Sequence, residues 1–183
     1  MKKILSFLFL TTLFLTTIGQ SIRIPGKKSN HVLLPNGWSL TPAGRSIQLG
    51  DLPLNIAVSA SKTMIAITNN GQSTQTIQLI DVNKEKILDE IVIAKSWYGL
   101  KFSNHDKVLY ASGGNDNRIL KYEIQNNKLH LIDSILLGRQ WPVKISPAGI
   151  DIDEHKQIMY VVTKENNQLY IIDLNKKEIL RNL

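Results

Sequence analysis

Apolar and polar segments alternate in a repeated order along the chain beyond residue 50. A short apolar stretch that begins near residue 54 returns near residues 98 and 148, and Val58, Phe102 and Ile152 take matching positions in it. These positions are 44 and 50 residues apart. The sequence therefore contains three copies of one structural unit.

Each copy predicts four short strands in the same order. Polar turns and loops rich in Asn, Gly and Asp separate stretches rich in β-branched residues, a pattern typical of an antiparallel meander. The predicted strands are 54–59, 64–68, 76–82 and 87–93, then 98–103, 108–112, 118–124 and 129–137, then 148–153, 158–163, 168–174 and a last strand from 179. Asp81, Glu123 and Asp173 match at the ends of the third strands, where they are expected to stabilise turns.

The inner strands of each copy are apolar at nearly every residue, so both faces of each small sheet need cover. Radial stacking of similar sheets around a channel provides that cover, and repeats of this length are typical of β-propeller blades. We expect an all-β fold, an incomplete propeller of about three blades. The predicted divisions are a lead-in at 21–38, a partial propeller at 39–183 with blades at 52–94, 95–138 and 145–183, and a strand at 46–50 that would close a complete ring.

The first twenty residues predict a signal peptide. A basic start at Met1–Lys3 precedes an apolar run at 4–18 and small residues near Ser21. The run is short for a membrane span, which needs about 20 apolar residues. We therefore expect export to the periplasm or secretion from a bacterium, with no transmembrane segment after cleavage; an uncleaved N-terminal anchor is the alternative.

Composition excludes several kinds of chemistry. The chain has no Cys, which rules out disulfides, Cys-ligated zinc, iron–sulfur clusters and thiol nucleophiles. Without residues 1–20, the chain has 20 basic and 15 acidic residues, a net charge of +5. Because the basic residues are scattered over turns and form no patch, the sequence does not favour a nucleic-acid partner. The sequence also lacks a nucleophile elbow, a dinucleotide fingerprint and a phosphate-binding loop. No catalytic residue, metal site or cofactor is predicted.

Two sets of segments resemble known families. Residues 67–69 followed by 77–81, and 160–163 followed by 169–173, resemble the YVTN β-propeller repeat of YncE-like and surface-layer proteins. The segments 34–38, 42–45, 50–55 and 96–103 resemble exported bacterial proteins in which such a propeller precedes an alkaline-phosphatase-like phosphoesterase domain.

The resemblance implies a binding or scaffold module whose partners in cis are further blades or the phosphoesterase domain. A complete propeller has roughly six to eight blades of about 40–50 residues, so we expect this chain to be a fragment. The metal ligands and nucleophile of the phosphoesterase have no counterpart here, and that activity would lie in a C-terminal domain. Two alternatives remain open: a propeller enzyme of the lactonase type, and single-stranded nucleic-acid binding as in YncE-like propellers.

One face of the predicted propeller collects the candidate binding residues. Loops between second and third strands and the connections between blades meet there, and aromatic rings beside amides and a lysine suit a small polar ligand. The candidates are Asn69, Asn70, Trp97, Tyr98, Asn115, Asn117, Trp141 and Lys144. The structural alternative is that the Trp residues pack between blades and the Asn residues serve turn geometry.

A metal site built from Asp151, Asp153, Glu154 and His155 is conceivable by ligand type. Strand alternation, however, directs Glu154 away from the two aspartates. We expect these residues to be solvated turn residues.

Overall fold

The structure, a computed structural model, describes residues 26–28, 31–41, 43–140 and 142–183. The predicted signal peptide and Trp141 therefore lie outside the described residues. The chain divides into a small unit that ends at Ser46 and a larger unit, Ile47–Leu183. Within the described ranges, no helix has the length and apolar character that crossing a bilayer would require.

The small unit contains a sheet that the sequence did not predict, two of its strands in the predicted lead-in and one just after it. Strands β1 (Gly26–Lys28), β2 (His31–Leu33) and β3 (Ser39–Leu40) pair antiparallel in chain order. The turn before β3 explains the difference: the Gly37 N–H donates to the Leu34 carbonyl at 2.9 Å, and Gly37 has a φ of 84°. Pro35 pre-sets the first turn position and glycine permits the positive φ, so residues 34–38 form a hairpin turn.

The described part of the larger unit forms three four-stranded antiparallel sheets, each in chain order. The first sheet contains β4 (Pro53–Val58), β5 (Met64–Asn69), β6 (Thr76–Asp81) and β7 (Lys86–Val92). The second contains β8 (Leu100–Ser103), β9 (Val108–Ser112), β10 (Arg118–Gln125) and β11 (Lys128–Leu136). The third contains β12 (Pro147–Asp153), β13 (Ile158–Thr163), β14 (Leu169–Asp173) and β15 (Glu178–Asn182).

The three sheets share irregularities as well as strands. The pairing of third and fourth strands shifts register directly after Leu79, Lys121 and Ile171. These residues are equivalent, because Met64, Val108 and Ile158 pair with Asp81, Glu123 and Asp173. A bulge increases local twist and bends the strand, so the outer strand turns away at the same point in every sheet.

The strand predicted at 46–50 is absent from the structure. Residues 45–50 are irregular and pair with none of the described strands. Backbone groups that pair with no strand need other hydrogen-bond partners. The Gly50 N–H donates to Gln78 Oε1 at 3.3 Å. A Cβ on Gly50 would lie 2.7 Å from Asn69 Cγ, so Gly50 lies against the first sheet.

Two apolar layers hold the sheets together. The layer between the first and second sheets includes Leu79, Phe102 and Leu109. The layer between the second and third includes Tyr110 and Met159. Strand β9 contributes alternate residues to both layers, which explains why its residues are all buried. The innermost strands β4, β8 and β12 lie side by side in that order.

Turn carboxylates tie each sheet to the one before it. Asp106 accepts hydrogen bonds from the Ala60 N–H at 2.7 Å and the Ser61 N–H at 2.9 Å. Glu154 accepts one from the Asn104 N–H at 3.1 Å. Partial burial works to raise the pKa of Asp106, but the bonds from Ser61 and Ala60 outweigh it, and the pKa lies below its ordinary value.

The matched acids at the ends of β6 and β14 act as predicted for turn residues. Asp81 accepts a hydrogen bond from the Lys84 N–H at 2.9 Å. Asp173 accepts from the Asn175 N–H at 2.9 Å and the Lys176 N–H at 3.0 Å. The side chains thereby replace missing backbone partners in these tight turns.

Candidate functional site

A polar cavity of about 250 Å³ opens on the face where the loops of all three sheets meet. The loops between second and third strands and the connections between sheets line it, as the sequence predicted for this face. We call it the three-loop cavity and define it by residues from each sheet: Asn70, Ser96, Trp97, Asn115, Lys164 and Glu165.

Backbone contacts fix the connection between the first and second sheets beside the cavity. The Ser96 N–H donates to Gln75 Oε1 at 2.7 Å, which ties the connection to the first sheet's loop. The facing 3-10 turn begins at Gly114, whose φ is 52°. A Cβ at Gly114 would make only an ordinary contact with the Ser96 carbonyl oxygen at 3.4 Å, so it is the positive φ that favours glycine.

The third sheet's loop is anchored in the same way. The Lys164 N–H donates to the Ser146 carbonyl at 2.9 Å, and the Glu165 N–H donates to the Ile145 carbonyl at 3.1 Å. Both side chains of this loop then line the cavity.

Each ammonium group at the cavity has a carboxylate partner. Lys95 Nζ lies 2.9 Å from Asp116 Oδ1, and Lys164 Nζ lies 3.1 Å from Glu165 Oε1. Lys164 Nζ also lies 4.9 Å from the centre of the Trp97 ring, within cation–π range. Because all four charged groups are partly exposed, these pairs add little stability, but they leave the cavity wall close to neutral.

Two cavity residues carry buried oxygens that no group satisfies. Asn70 Oδ1 and Ser96 Oγ have no hydrogen-bond partner among the described residues, and Ser96 is 5% exposed. Buried polar atoms in folded proteins are nearly always hydrogen-bonded, to protein or to a bound molecule. Both oxygens have almost no accessible surface, so they lie within the cavity wall and a molecule in the cavity does not reach them.

The structure distributes the predicted site residues over different environments. Asn70, Trp97 and Asn115 line the three-loop cavity. Lys144 lines an adjoining hollow of about 100 Å³, which shares Asn115 and Glu165 with the cavity. Tyr98 is half-exposed and lies outside both, and Trp141 lies outside the described residues.

Two of the predicted residues are buried and make their hydrogen bonds inside the protein, although Asn69 Oδ1 has no partner among the described residues. The Asn69 amide donates to Thr76 Oγ1 and Gln78 Oε1, both at 3.0 Å. Asn117 has a φ of 53° and no exposed surface, and its side chain makes four hydrogen bonds to the connection that follows the second sheet. Its partners are the Arg139 and Val143 carbonyls at 2.7 and 2.6 Å and the Ile145 and Ser146 N–H groups at 3.1 and 2.9 Å.

Sequence reasoning selected candidates by residue type and passed over Lys164 and Glu165. The repeat itself could have found them: counted from the matched strands, Lys164 is equivalent to Asn70 and Gly114, and Glu165 to Asn115. Ser96 and Ser146 are likewise equivalent, and both line the cavity.

The acids considered for a metal site are each used elsewhere. Asp151 pairs with Lys101 at 2.6 Å, and this hydrogen bond holds the pKa of Asp151 below its ordinary value. Asp153 accepts from the Lys156 N–H at 3.0 Å, which lowers its pKa, and Glu154 binds the Asn104 N–H. In the described ranges, no three His, Cys, Asp or Glu residues come together in a group that could hold a metal ion.

Solved structures share this arrangement of sheets. The chain is similar to Kuenenia stuttgartiensis hydrazine synthase, with a TM-score of 0.60 and 19% identity over 77% of this chain and 38% of that one. It is similar to the WD40 repeats of RRP9, with a TM-score of 0.57 and 15% identity over 76% of this chain and 40% of that one. The fold is an incomplete β-propeller. This confirms the predicted fold class, and the three sheets are called blades from here on.

A protein from Lactobacillus plantarum is also similar, with a TM-score of 0.61 and 13% identity over 86% of this chain and 50% of that one. Identities this low show the fold alone. The chain spans half or less of the length of these propeller structures. No family model and no curated protein matches the sequence.

Proposed function

We propose that this propeller segment is a binding module that takes a small polar ligand in the three-loop cavity. The observation that carries the proposal is the polar cavity itself, because loops of all three blades line it and contribute Trp97, Asn115 and Lys164. Binding sites combine a concave surface with a few placed polar groups. Here the groups come from loops of neighbouring blades, so the site exists only when the blades are assembled.

Ligand binding to the purified chain, measured by isothermal titration calorimetry, tests this function. Trp97→Ala and Lys164→Ala each remove a large side chain of a residue that lines the cavity, and each is expected to weaken binding about tenfold. Ser73→Ala is the matched control, because Ser73 lies exposed in the same loop as Asn70 but outside the cavity. Equal affinity in all three variants would place binding elsewhere and refute the proposal.

We further propose that another blade follows the third in a longer protein. The supporting observation is the face of the third blade that points away from the second. Val162 on this face is 50% exposed, whereas the equivalent Thr68 and Ser112 are each 1% exposed under a following blade. The face that a following blade covers on the first two blades is therefore open on the third, where it carries an apolar side chain.

The resemblance to exported proteins with a phosphoesterase domain extends this proposal. On that basis the module is exported and works in cis with the remaining blades and that domain. Reading the gene downstream tests the idea, since further four-stranded repeats are expected there. A folded, monomeric product whose mass equals that of this chain or its signal-cleaved form, purified from the native source, would count against it.

The two alternatives gain no specific support from the geometry. A lactonase-type site would use amides such as Asn69, but Asn69 is 1% exposed and does not line the three-loop cavity. Nucleic-acid binding needs cations available for phosphates, and both lysines of the three-loop cavity are paired with carboxylates.

A further inference from the structure

We infer that the open face of the third blade binds a blade that supplies two carboxylates. One lies in its first turn, between its first and second strands, and the other lies in its hairpin, between its third and fourth strands. This inference rests on the proposed function, since it specifies the chemistry of the blade that follows the third. Its basis is the pair of blade junctions that the chain already contains.

The open face has an apolar centre. Tyr160 pairs with Ile171, and Val162 pairs with Leu169, so these four side chains lie together on one side of the sheet. Val162 is exposed and the other three are half-buried, whereas Tyr110, the equivalent of Tyr160 in the second blade, is buried beneath the third blade. An apolar centre suits many blades, so the polar contacts around it decide which blade can pack here.

In each existing junction, a carboxylate of the following blade binds the first turn of the blade before it. Asp106 of the second blade accepts from the Ala60 and Ser61 N–H groups. Glu154 of the third blade accepts from the Asn104 N–H of the second. Counted from the matched strands, Glu154 itself takes the place of Ala60 and Asn104. The N–H of Glu154 therefore lies where the carboxylate of the next blade is expected.

A second contact joins the outer strand of each blade to the hairpin of the next. In the first junction, Asp89 accepts a hydrogen bond from the Leu129 N–H at 2.8 Å. In the second, Asp133 pairs with Lys177, and this bond holds the pKa of Asp133 below its ordinary value. Asp89 and Asp133 take the same place in their strands, at the register shift, and Leu129 and Lys177 take the same place after the hairpin turn. The outer strand of a blade thus accepts from the next hairpin.

The third blade reverses the charge at this place. Arg181 is the equivalent of Asp89 and Asp133, since it pairs with Ile171 at the register shift of the third blade. Arg181 is exposed and has no ion pair among the described residues. Because like charges repel and opposite charges attract across an interface, a lysine such as Lys177 is disfavoured in the next hairpin. An Asp or Glu is favoured there.

These two contacts distinguish a following blade from a second copy of this chain. The first blade of a second copy would bring Glu85 to the hairpin position, which suits Arg181. It would bring Ala60 and Lys62 to the places of the two first-turn carboxylates. A lysine would then face the N–H donors of the third blade's turn. A second copy meets only one of the two requirements, so the occupant is a blade that this chain does not contain.

Cysteine labelling at position 162 tests this inference, because the chain has no Cys of its own. Val162→Cys and the exposed-loop control Ser73→Cys are made in this chain and in the longer product of its gene, and each is treated with N-ethylmaleimide. In the longer product, Val162→Cys is expected to react about tenfold more slowly or less, because a blade must open to expose it, and the control is expected to react equally in both proteins.

Charge variants then test the chemistry of the partner. In the longer product, Arg181→Glu is expected to speed the labelling of Val162→Cys about threefold, and so is the replacement of either carboxylate of the following blade by its amide. In this chain alone, Arg181→Glu is expected to leave labelling unchanged. Circular dichroism of each variant shows whether faster labelling is a loss of folding.

The outcomes separate the chemistry of the partner from the presence of a blade. If Val162→Cys is protected in the longer product, but the following repeat lacks an acid at either place or Arg181→Glu has no effect, the inference is wrong and the following blade stands. If labelling is equally fast in both proteins, or the gene encodes no further repeat, both proposals are overturned. Labelling of this chain that slows with rising protein concentration would reveal a second copy on the face and would overturn the inference.

Discussion

Replacing Asn117 by alanine is expected to destabilise the protein more than any exposed asparagine replacement. The side chain makes four hydrogen bonds to the connection between the second and third blades, two of them buried and two part-buried. At about 1 kcal/mol for each bond, their loss costs about 4 kcal/mol. Alanine at a φ of 53° adds about 1 kcal/mol of backbone cost.

The expected total of about 5 kcal/mol is a large share of the roughly 5–15 kcal/mol that stabilises a typical domain. Urea unfolding followed by far-ultraviolet circular dichroism measures it, provided that the transition is two-state. By the usual scaling for chains of this size, the same change lowers the Tm by about 10–20 °C.

Two control variants divide the effect into its parts. Asn127→Ala carries the backbone cost alone, because Asn127 has a φ of 62° in an exposed turn. Asn117→Gly carries the lost hydrogen bonds with little backbone strain. If Asn117→Ala lowers the free energy of unfolding by no more than about 1 kcal/mol beyond Asn127→Ala, the four bonds do not hold the connection in place.

Three further outcomes follow from the geometry. Gly114→Ala should lower the free energy of unfolding by about 1 kcal/mol or more, because alanine is strained at positive φ, and Gly114→Asn should lower it less; equal losses in urea unfolding would contradict this. Burial raises the pKa of Tyr110 and of Tyr122 to about 12, so their stabilisation is present below the unfolded value near 10 and is lost as the pH rises through 12. Absorbance titration should therefore show two of the five tyrosines ionising late, together with unfolding, and early ionisation of all five would refute it. Val161→Ala should cost about 2 kcal/mol by creating a cavity, and Val162→Ala less than about 0.5 kcal/mol in this chain, as measured by urea midpoints; equal effects would contradict the exposed third-blade face.

The strands were predictable because the same order of apolar segments and polar turns occurs three times in the sequence. A single apolar run such as 64–68 is ambiguous between a strand and a buried helix turn, but its equivalents at 108–112 and 158–163 carry the same turn signals on both sides. The small sheet before Ser46 has no second copy, so its Pro35–Gly37 turn carried no such support.

The candidate site was only partly predictable, since residue type does not reveal environment. Asn69 and Asn70 are neighbours in sequence, yet the Asn69 amide donates hydrogen bonds inside the first blade, whereas Asn70 lines the cavity. That difference depends on the strand ending at Asn69 and on where the next connection passes. Ser96 is a site residue only because its backbone is tied to Gln75, a contact between separate segments that local pattern cannot supply.

The carboxylates that join successive blades also determine the order in which the blades can sit. Asp106 occupies the place that Lys62 and Lys156 take in the other two turns, and Glu154 occupies the place of Ala60 and Asn104. If the third blade packed where the second belongs, a lysine would face the Ala60 and Ser61 N–H groups, donor against donor. Repeats of similar structure can pair with the wrong neighbour during folding. Here the side chains at the two junctions differ, and this difference disfavours incorrect pairing.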